Sequence, residues 1–313
     1  MTLPASFSTL RLPAIAAPMF LASGPDLVVE VAKSGLVGTF PALNQRTTEG
    51  FVTWMDEITQ RLAPCPGAVW GVNLIVHKSN TRLMADLGAV VAQKVPVVIT
   101  SLGAVKDLVD AVHSYGGLVF HDVINRRHAE KAAEAGVDGI IAVCAGAGGH
   151  AGTLSPFALI PEIRSFFDGT IILSGAISDG AQIAAARAMG ADMAYLGTRF
   201  LATAEAMSPD AQKDMILAAN AADILYTDAI SGVNANFMRP SIMAAGMDPD
   251  QLVKHGPMDL GSEAKAWKTV WSAGQGVGSI RDVLPAVDLC DRLVAEYRAA
   301  LAKLAADPFA TRS

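Results

Sequence analysis

The chain has 313 residues, 51% of them hydrophobic, 17% charged and only 6% aromatic, with a formal net charge of −6. The length suits one large domain or a barrel carrying a modest insertion. The acidic balance and the lack of any basic run exclude a broad nucleic-acid surface, and no stretch of about 18 uninterrupted apolar residues speaks for a membrane span.

From the amino terminus, short aliphatic runs ending in small or polar residues alternate with helix-like segments. The runs are Ala14–Met19, Gly38–Leu43, Val69–Ile75, Val95–Ser101, Gly117–Val123, Gly139–Ala145, Thr170–Gly175 and Met193–Gly197. Helix starts stand between them: Pro25-Asp26 after Gly24, Ser155-Pro156 as a cap followed by a first-turn proline, and Ser178-Asp179. Repeated strand–helix alternation predicts a parallel sheet. An open doubly wound sheet could use the same pattern, but eight units is the number that closes a (β/α)₈ TIM barrel. The expected fold is therefore α/β, a TIM barrel.

After Arg199 the alternation stops. Ser208–Ala222 reads as a helix with proline in its first turn, Ile224–Arg239 as β-like and turn-rich, and Trp267–Gly278 as a segment ending in a glycine-rich turn. Val283–Ala305 reads as an amphipathic closing helix and a candidate homodimer contact. The expected division is a barrel from residues 1–207 plus 264–313, with 208–263 a smaller insertion or lid near the mouth. Met1–Leu12 lacks the basic and apolar regions of a signal peptide, and Cys65, Cys144 and Cys290 form no CxxC pair. Reduced thiols and a cytoplasmic location are expected.

Active sites of such barrels lie at the carboxyl ends of the strands. Strand six runs into Cys144-Ala145-Gly146-Ala147-Gly148-Gly149-His150-Ala151-Gly152, whose glycines let backbone approach a ligand closely around His150. Imidazole titrates near neutrality, which makes His150 the candidate proton acceptor. The glycine spacing is wrong for a dinucleotide fingerprint. Strands seven and eight end in Ser174-Gly175-Ala176 and Gly197-Thr198-Arg199, where exposed N–H groups and two hydroxyls suit a phosphate. Asn73 ends strand three, His121-Asp122 ends strand five, and Gln275 sits in the late glycine-rich turn. His77, His113, His128 and His255 read as ordinary surface or helix residues, and no histidine spacing suggests a metal site.

Together these residues resemble the nitronate monooxygenase family, also called 2-nitropropane dioxygenases. The resemblance runs from about Ala14 to Gly278 and rests on Ala17-Pro18-Met19, Gly71-Val72-Asn73-Leu74, Gly148-Gly149-His150-Ala151-Gly152, Ser174-Gly175, Gly197-Thr198-Arg199-Phe200 and Trp271-Ser272-Ala273-Gly274-Gln275. It implies an FMN-dependent barrel that oxidises alkyl nitronates or nitroalkanes with O2 to a carbonyl compound and nitrite. It implies His150 as the active-site histidine, Met19, Asn73 and Gln275 near the flavin, and Ser174, Gly175, Gly197 and Thr198 as the phosphate cradle. His121, Ala145, Gly146, Gly149 and Ala176 complete the expected cofactor contacts. Some relatives that reduce quinones or enoyl thioesters carry lysine just after the strand-five histidine, where this chain has Asp122. Two alternatives stand beside this reading: an NAD(P)H-dependent FMN reductase of quinones or acyl thioesters, and a flavin-free phosphate-binding lyase or isomerase.

Overall fold

The computed structural model describes residues 3–103, 106–253 and 269–309. Parallel strands β1 (Ala14–Ala16), β2 (Val37–Pro41), β3 (Val69–Ile75), β4 (Val97–Ser101), β5 (Leu118–Val123) and β6 (Gly139–Val143) follow one another around a closed barrel. A two-residue strand, β7 (Gly149–His150), lies outside it. Strands β8 (Thr170–Ser174) and β9 (Met193–Leu196) complete the ring, and β9 pairs with β1 through Ile15 and Tyr195. Each barrel strand overlaps one of the eight aliphatic runs, so the TIM barrel is the fold.

The runs are mainly aliphatic because both faces of each strand are buried. One set of alternate residues faces the helices: Val72, Val98, Val119, Ile140 and Ile171 share a core with residues of the surrounding helices. The other set fills the barrel: Ile15, Val37, Val69, Val97, Phe120, Ile141 and Ile172 form an inner cluster. Phe7, from a 3-10 turn at Ala5–Phe7, stacks edge-on against Phe120 at 5.9 Å and plugs the amino-terminal end. The interior is thus packed at the bottom, and only the carboxyl-terminal mouth is open to chemistry.

Helices α1 (Pro25–Lys33), α2 (Thr48–Leu62), α3 (Leu83–Gln93), α4 (Lys106–His113), α5 (Arg126–Glu134), α6 (Pro156–Arg164) and α7 (Gly180–Ala188) connect the strands. The start signals act as read. Gly24 precedes Pro25, Ser155 Oγ accepts from the Phe157 amide, and Asp179 with Gln182 forms a capping box on α7. After β9 the chain does not make its eighth helix at once. A short turn of helix, α8 (Thr198–Leu201), leads to α9 (Asp210–Ala218), a hairpin of β10 (Ile224–Thr227) and β11 (Ala235–Met238), and α10 (Arg239–Ala244). The carboxyl-terminal helix Ala286–Ala305 then packs against both α7 and α1 and so takes the place of the eighth barrel helix. Its approach is close: a Cβ on Gly180 would lie 2.3 Å from Leu293 O. The buried face of that helix, Ala286, Leu289, Cys290, Leu293 and Val294, is committed to the barrel. Part of the stretch read as an insertion, from residue 254 onward, lies outside the described residues, as do His255 and Trp267.

Candidate active site

In a strand, alternate side chains take opposite faces. The inner-facing set that holds Val69, Val97 and Phe120 continues upward to Asn73 on β3, Ser101 on β4 and Asp122 on β5; Ser174 on β8 and Tyr195 on β9 border the same space. These polar residues replace aliphatics only in the top layer, where they border a cavity of about 1290 Å³. Asn73 Nδ2 donates to Ser101 Oγ at 2.8 Å, and Ser101 Oγ donates to Asp122 Oδ2 at 2.6 Å. Asp122 Oδ1 is shut off from bulk solvent and has no hydrogen-bond partner among the described residues. Burial pushes the Asp122 carboxyl up to about 6, against the opposing pull of the Ser101 hydrogen bond and of positive charge on His150. Tyr195 is raised well above the usual phenol range, by burial first and by the Asp122 charge second.

His121 shares the outward parity of Val119 and Val123. Its Nδ1 lies 2.7 Å from Thr100 Oγ1, and burial, with the His128 charge second, holds the imidazole down to about 4. It borders the cavity, but of the pair ending β5 it is Asp122 that belongs to the inner set. His128, read as an ordinary helix residue, stands exposed on α5 with Lys131, and both edge the cavity. Arg46 and Arg82 edge it across the mouth, and Arg82 is held there by Asp86 at 2.9 Å.

The glycine-rich segment after β6 is not an isolated loop. Gly149 and His150 form β7, paired antiparallel with Asn236 and Ala235 of β11. Asn236 Nδ2 donates to Ala147 O at 2.6 Å, and Tyr226 OH donates to Ala151 O at 3.0 Å. The Gly149 amide donates to Ser272 Oγ at 2.6 Å. The segment after the barrel thus grips both sides of His150 and sets it on the cavity wall. Asn236, Tyr226 and Ser272 were not legible as site residues, since their partners lie between 75 and 123 positions away.

A second recess of about 30 Å³ opens where the loops after β6, β8 and β9 meet the turn at Gly274. Gly146, Ser174, Gly175, Ala176, Gly197 and Thr198 border it, together with Gly148, Ser178 and Gly276. Thr198 Oγ1 accepts from the Gly274 amide at 2.8 Å, and the Gln275 amide donates to Gly146 O at 2.9 Å. The two glycine turns touch so closely that a Cβ on Gly274 would stand 2.6 Å from Gly146 O. Gly148, Ser174, Tyr195, Gly197 and Thr198 border both recess and cavity, so the two spaces adjoin. Met19, Asn73 and Gly149 border the large cavity. Ala145, whose amide donates to Leu154 O at 2.8 Å, and the exposed Gln275 border neither.

A Mycobacterium tuberculosis protein bearing a monooxygenase name is 30% identical over 242 residues, which are 71% of this chain and only 64% of that protein. A 5-hydroxy-7a-methyl-1-oxo-octahydro-1H-indene-4-carboxyl-CoA dehydrogenase of Rhodococcus jostii is 26% identical, over 91% of this chain and 92% of its own. A nitronate monooxygenase of Neurospora crassa is likewise 26% identical, over 96% of this chain and 93% of its own. The nitronate monooxygenase family profile matches residues 55–296, well over half of the sequence, so the chain is an oxidoreductase and belongs to the nitronate monooxygenase family.

Proposed function

We propose that this chain binds FMN and oxidises alkyl nitronates, or the nitroalkanes that yield them, with O2 to a carbonyl compound and nitrite. The observation that carries the reading is the junction of a backbone-lined recess with a large cavity that has His150 on its wall. The recess suits a phosphate: Gly148, Gly175, Gly274 and Gly276 stand where a Cβ would come within 2.9 Å of a neighbouring atom, and Ser174 and Thr198 bring hydroxyls. Ser174, Gly175, Ala176, Gly146, Gly197 and Thr198 would hold the phosphate. Met19, Asn73, His121, Ala145, Gly149 and Gln275 are the candidate contacts for the remainder of the cofactor. At about 1290 Å³ the cavity exceeds the roughly 300–1,000 Å³ of a single small-molecule site, which leaves room for cofactor and substrate together.

FMN supplies the electron-transfer and oxygen chemistry when bound. The protein's own part is to orient, to exclude water and to move a proton. His150, fixed by β11 on one side and Ser272 on the other, would accept the proton from the carbon bearing the nitro group.

A second reading, a pyridine-nucleotide-dependent reductase of acyl thioesters or quinones, draws on the cationic rim. Arg46, Arg82 and Lys131 border the same cavity and suit a phosphorylated carrier. The deciding experiment is a visible spectrum of the purified protein, followed by anaerobic addition of a nitronate and then of NADH. Bleaching of a flavin band by nitronate and not NADH supports the first reading. Bleaching by NADH alone transfers support to the second, and a colourless protein that takes up no FMN overturns both.

A further inference from the structure

Asp122 sets a part-buried carboxyl in the mouth, and the proton transfer to His150 does not use it. Asp122 belongs to the inner-facing set of β5, its Oδ2 is fixed by Ser101 at 2.6 Å, and Ser101 is itself fixed by Asn73 at 2.8 Å. Its Oδ1 has no hydrogen-bond partner among the described residues, and the residue borders the cavity that also holds His150 and Tyr195. Packing does not require a carboxyl here, because the layer beneath is filled by aliphatic and aromatic side chains. Nor is it a structural ion pair: no arginine or lysine bridges to Asp122 among the described residues. A carboxyl so placed presents negative charge to whatever occupies the mouth.

We propose that Asp122 determines which protonation form of the substrate the site takes, disfavouring the preformed nitronate anion and favouring the neutral nitroalkane. The inference rests on the nitronate monooxygenase reading above. With the neutral substrate, the C–H bond next to the nitro group breaks and its electron pair becomes the C=N bond of the nitronate. The proton goes to a ring nitrogen of His150, and no electron leaves the substrate in that step. The imidazolium so formed offsets the new charge of the nascent nitronate in the cavity it shares with Asp122, and the total charge of the mouth is unchanged. A nitronate that enters already ionised instead adds a second negative charge beside Asp122, with no new cation to offset it. Asp122 therefore supports the proton-transfer route and opposes the direct one.

Among the described residues, the titratable and charged groups that border this space with Asp122 are His150 on β7, Tyr195 on β9, His121 on β5, His128 and Lys131 on α5, Tyr226 on β10, and Arg46 and Arg82 ahead of α2 and α3. Burial holds the carboxyl up to about 6, so its charge is present at pH 8 and largely removed at pH 5.

The test is made on the FMN-loaded protein, comparing wild type with Asp122→Asn and Asp122→Glu. Asp122→Ser, smaller and also neutral, takes the place of the Asn variant if that one does not fold. Two readouts are needed. The first is kcat/KM for a neutral nitroalkane and for its nitronate at pH 8. The second is the dissociation constant of inorganic nitrate, an inert planar anion at every pH used, by calorimetry at pH 5 and pH 8. In the neutral variant the nitronate should gain about tenfold and the nitroalkane lose about tenfold, while nitrate binds about tenfold more tightly at pH 8 than in wild type. The difference in nitrate affinity should shrink at pH 5, and Asp122→Glu should stay near wild type in both readouts. Unchanged nitrate affinity at pH 8 overturns the proposal, whatever the substrate. Tighter nitrate binding with an unchanged nitroalkane-to-nitronate ratio overturns its substrate half. If wild type oxidises neither compound, the functional reading fails on its own, and the nitrate measurement still decides whether Asp122 screens anions from the mouth.

Discussion

Ser272 Oγ accepts a hydrogen bond from the Gly149 amide at 2.6 Å and donates one to Asn236 O at 2.6 Å, so a single hydroxyl ties the strand of His150 to the hairpin that covers it. Its partners lie 123 and 36 positions before it in the chain. Together with the β7–β11 pairing, this junction anchors the backbone beside the imidazole.

Ser272→Ala removes both bonds and leaves a part-buried amide unmatched. The expected cost is about 1–3 kcal/mol of stability. It should appear as a drop of several degrees in the thermal midpoint, together with a fall in kcat larger than any rise in KM. Ser272→Thr keeps the hydroxyl and should restore both. Calorimetry and steady-state kinetics on the three proteins check this, and an alanine variant with wild-type midpoint and kcat would mean that the hairpin holds His150 without the bridge.

His150→Asn keeps a polar group of similar reach while removing the ring that takes up a proton. Its flavin content should match wild type, and turnover of a neutral nitroalkane should fall by about 10²-fold or more, as loss of a general base does. Absorbance against protein concentration gives the first number and oxygen consumption the second. Full activity would take His150 out of the mechanism.

The barrel was readable because each strand is buried on both faces and so appears as a mainly aliphatic run, Val95–Ser101 and Gly139–Ala145 being clear cases. Local signals were equally readable: the Ser178-Asp179 and Ser155-Pro156 starts act within four residues. The strand at Gly149–His150 was not, because two residues of glycine and histidine carry no β pattern, and the pairing comes from β11, whose Ala235 lies 85 positions on. The inner polar chain Asn73–Ser101–Asp122 was half visible. Asn73 stood out among aliphatics, whereas Ser101 has meaning only once the barrel register brings β3, β4 and β5 side by side.

Gly274→Ala tests the recess. Its Cβ would stand 2.6 Å from Gly146 O and 2.9 Å from the Gly148 amide nitrogen, both backbone atoms with little room to yield. The two turns must separate, which moves Gly148, Thr198 and their neighbours out of register with a bound phosphate. FMN affinity, measured by fluorescence quenching on reconstitution, should weaken by at least about tenfold, which corresponds to roughly 1.4 kcal/mol. The barrel's thermal midpoint without cofactor should move little. Unaltered FMN affinity would place the phosphate elsewhere.

The two neighbours that end β5 should drive stability in opposite directions with pH. His121 is held down to about 4 from the ordinary 6.5, by burial first and the His128 charge second. Below pH 6.5 the unfolded chain takes up a proton that the folded chain refuses until about pH 4. The contribution of His121 is therefore whole above pH 6.5 and is lost as the pH falls towards 4, a swing of at most about 3 kcal/mol. Asp122 is raised from 3.8 to about 6, so the folded chain holds its proton more tightly than the unfolded one. Its contribution is whole below pH 3.8 and is lost as the pH rises through 6, again at most about 3 kcal/mol and less where cavity water screens the charge. Asp122→Asn should therefore be more stable than wild type at pH 8 and no more stable at pH 4. His121→Gln should lose stability overall yet show a flatter acid limb. Thermal midpoints of the three proteins between pH 4 and pH 8 read both effects. A midpoint difference between wild type and Asp122→Asn that stays constant across that range would show that the carboxyl does not titrate within the fold as its burial requires.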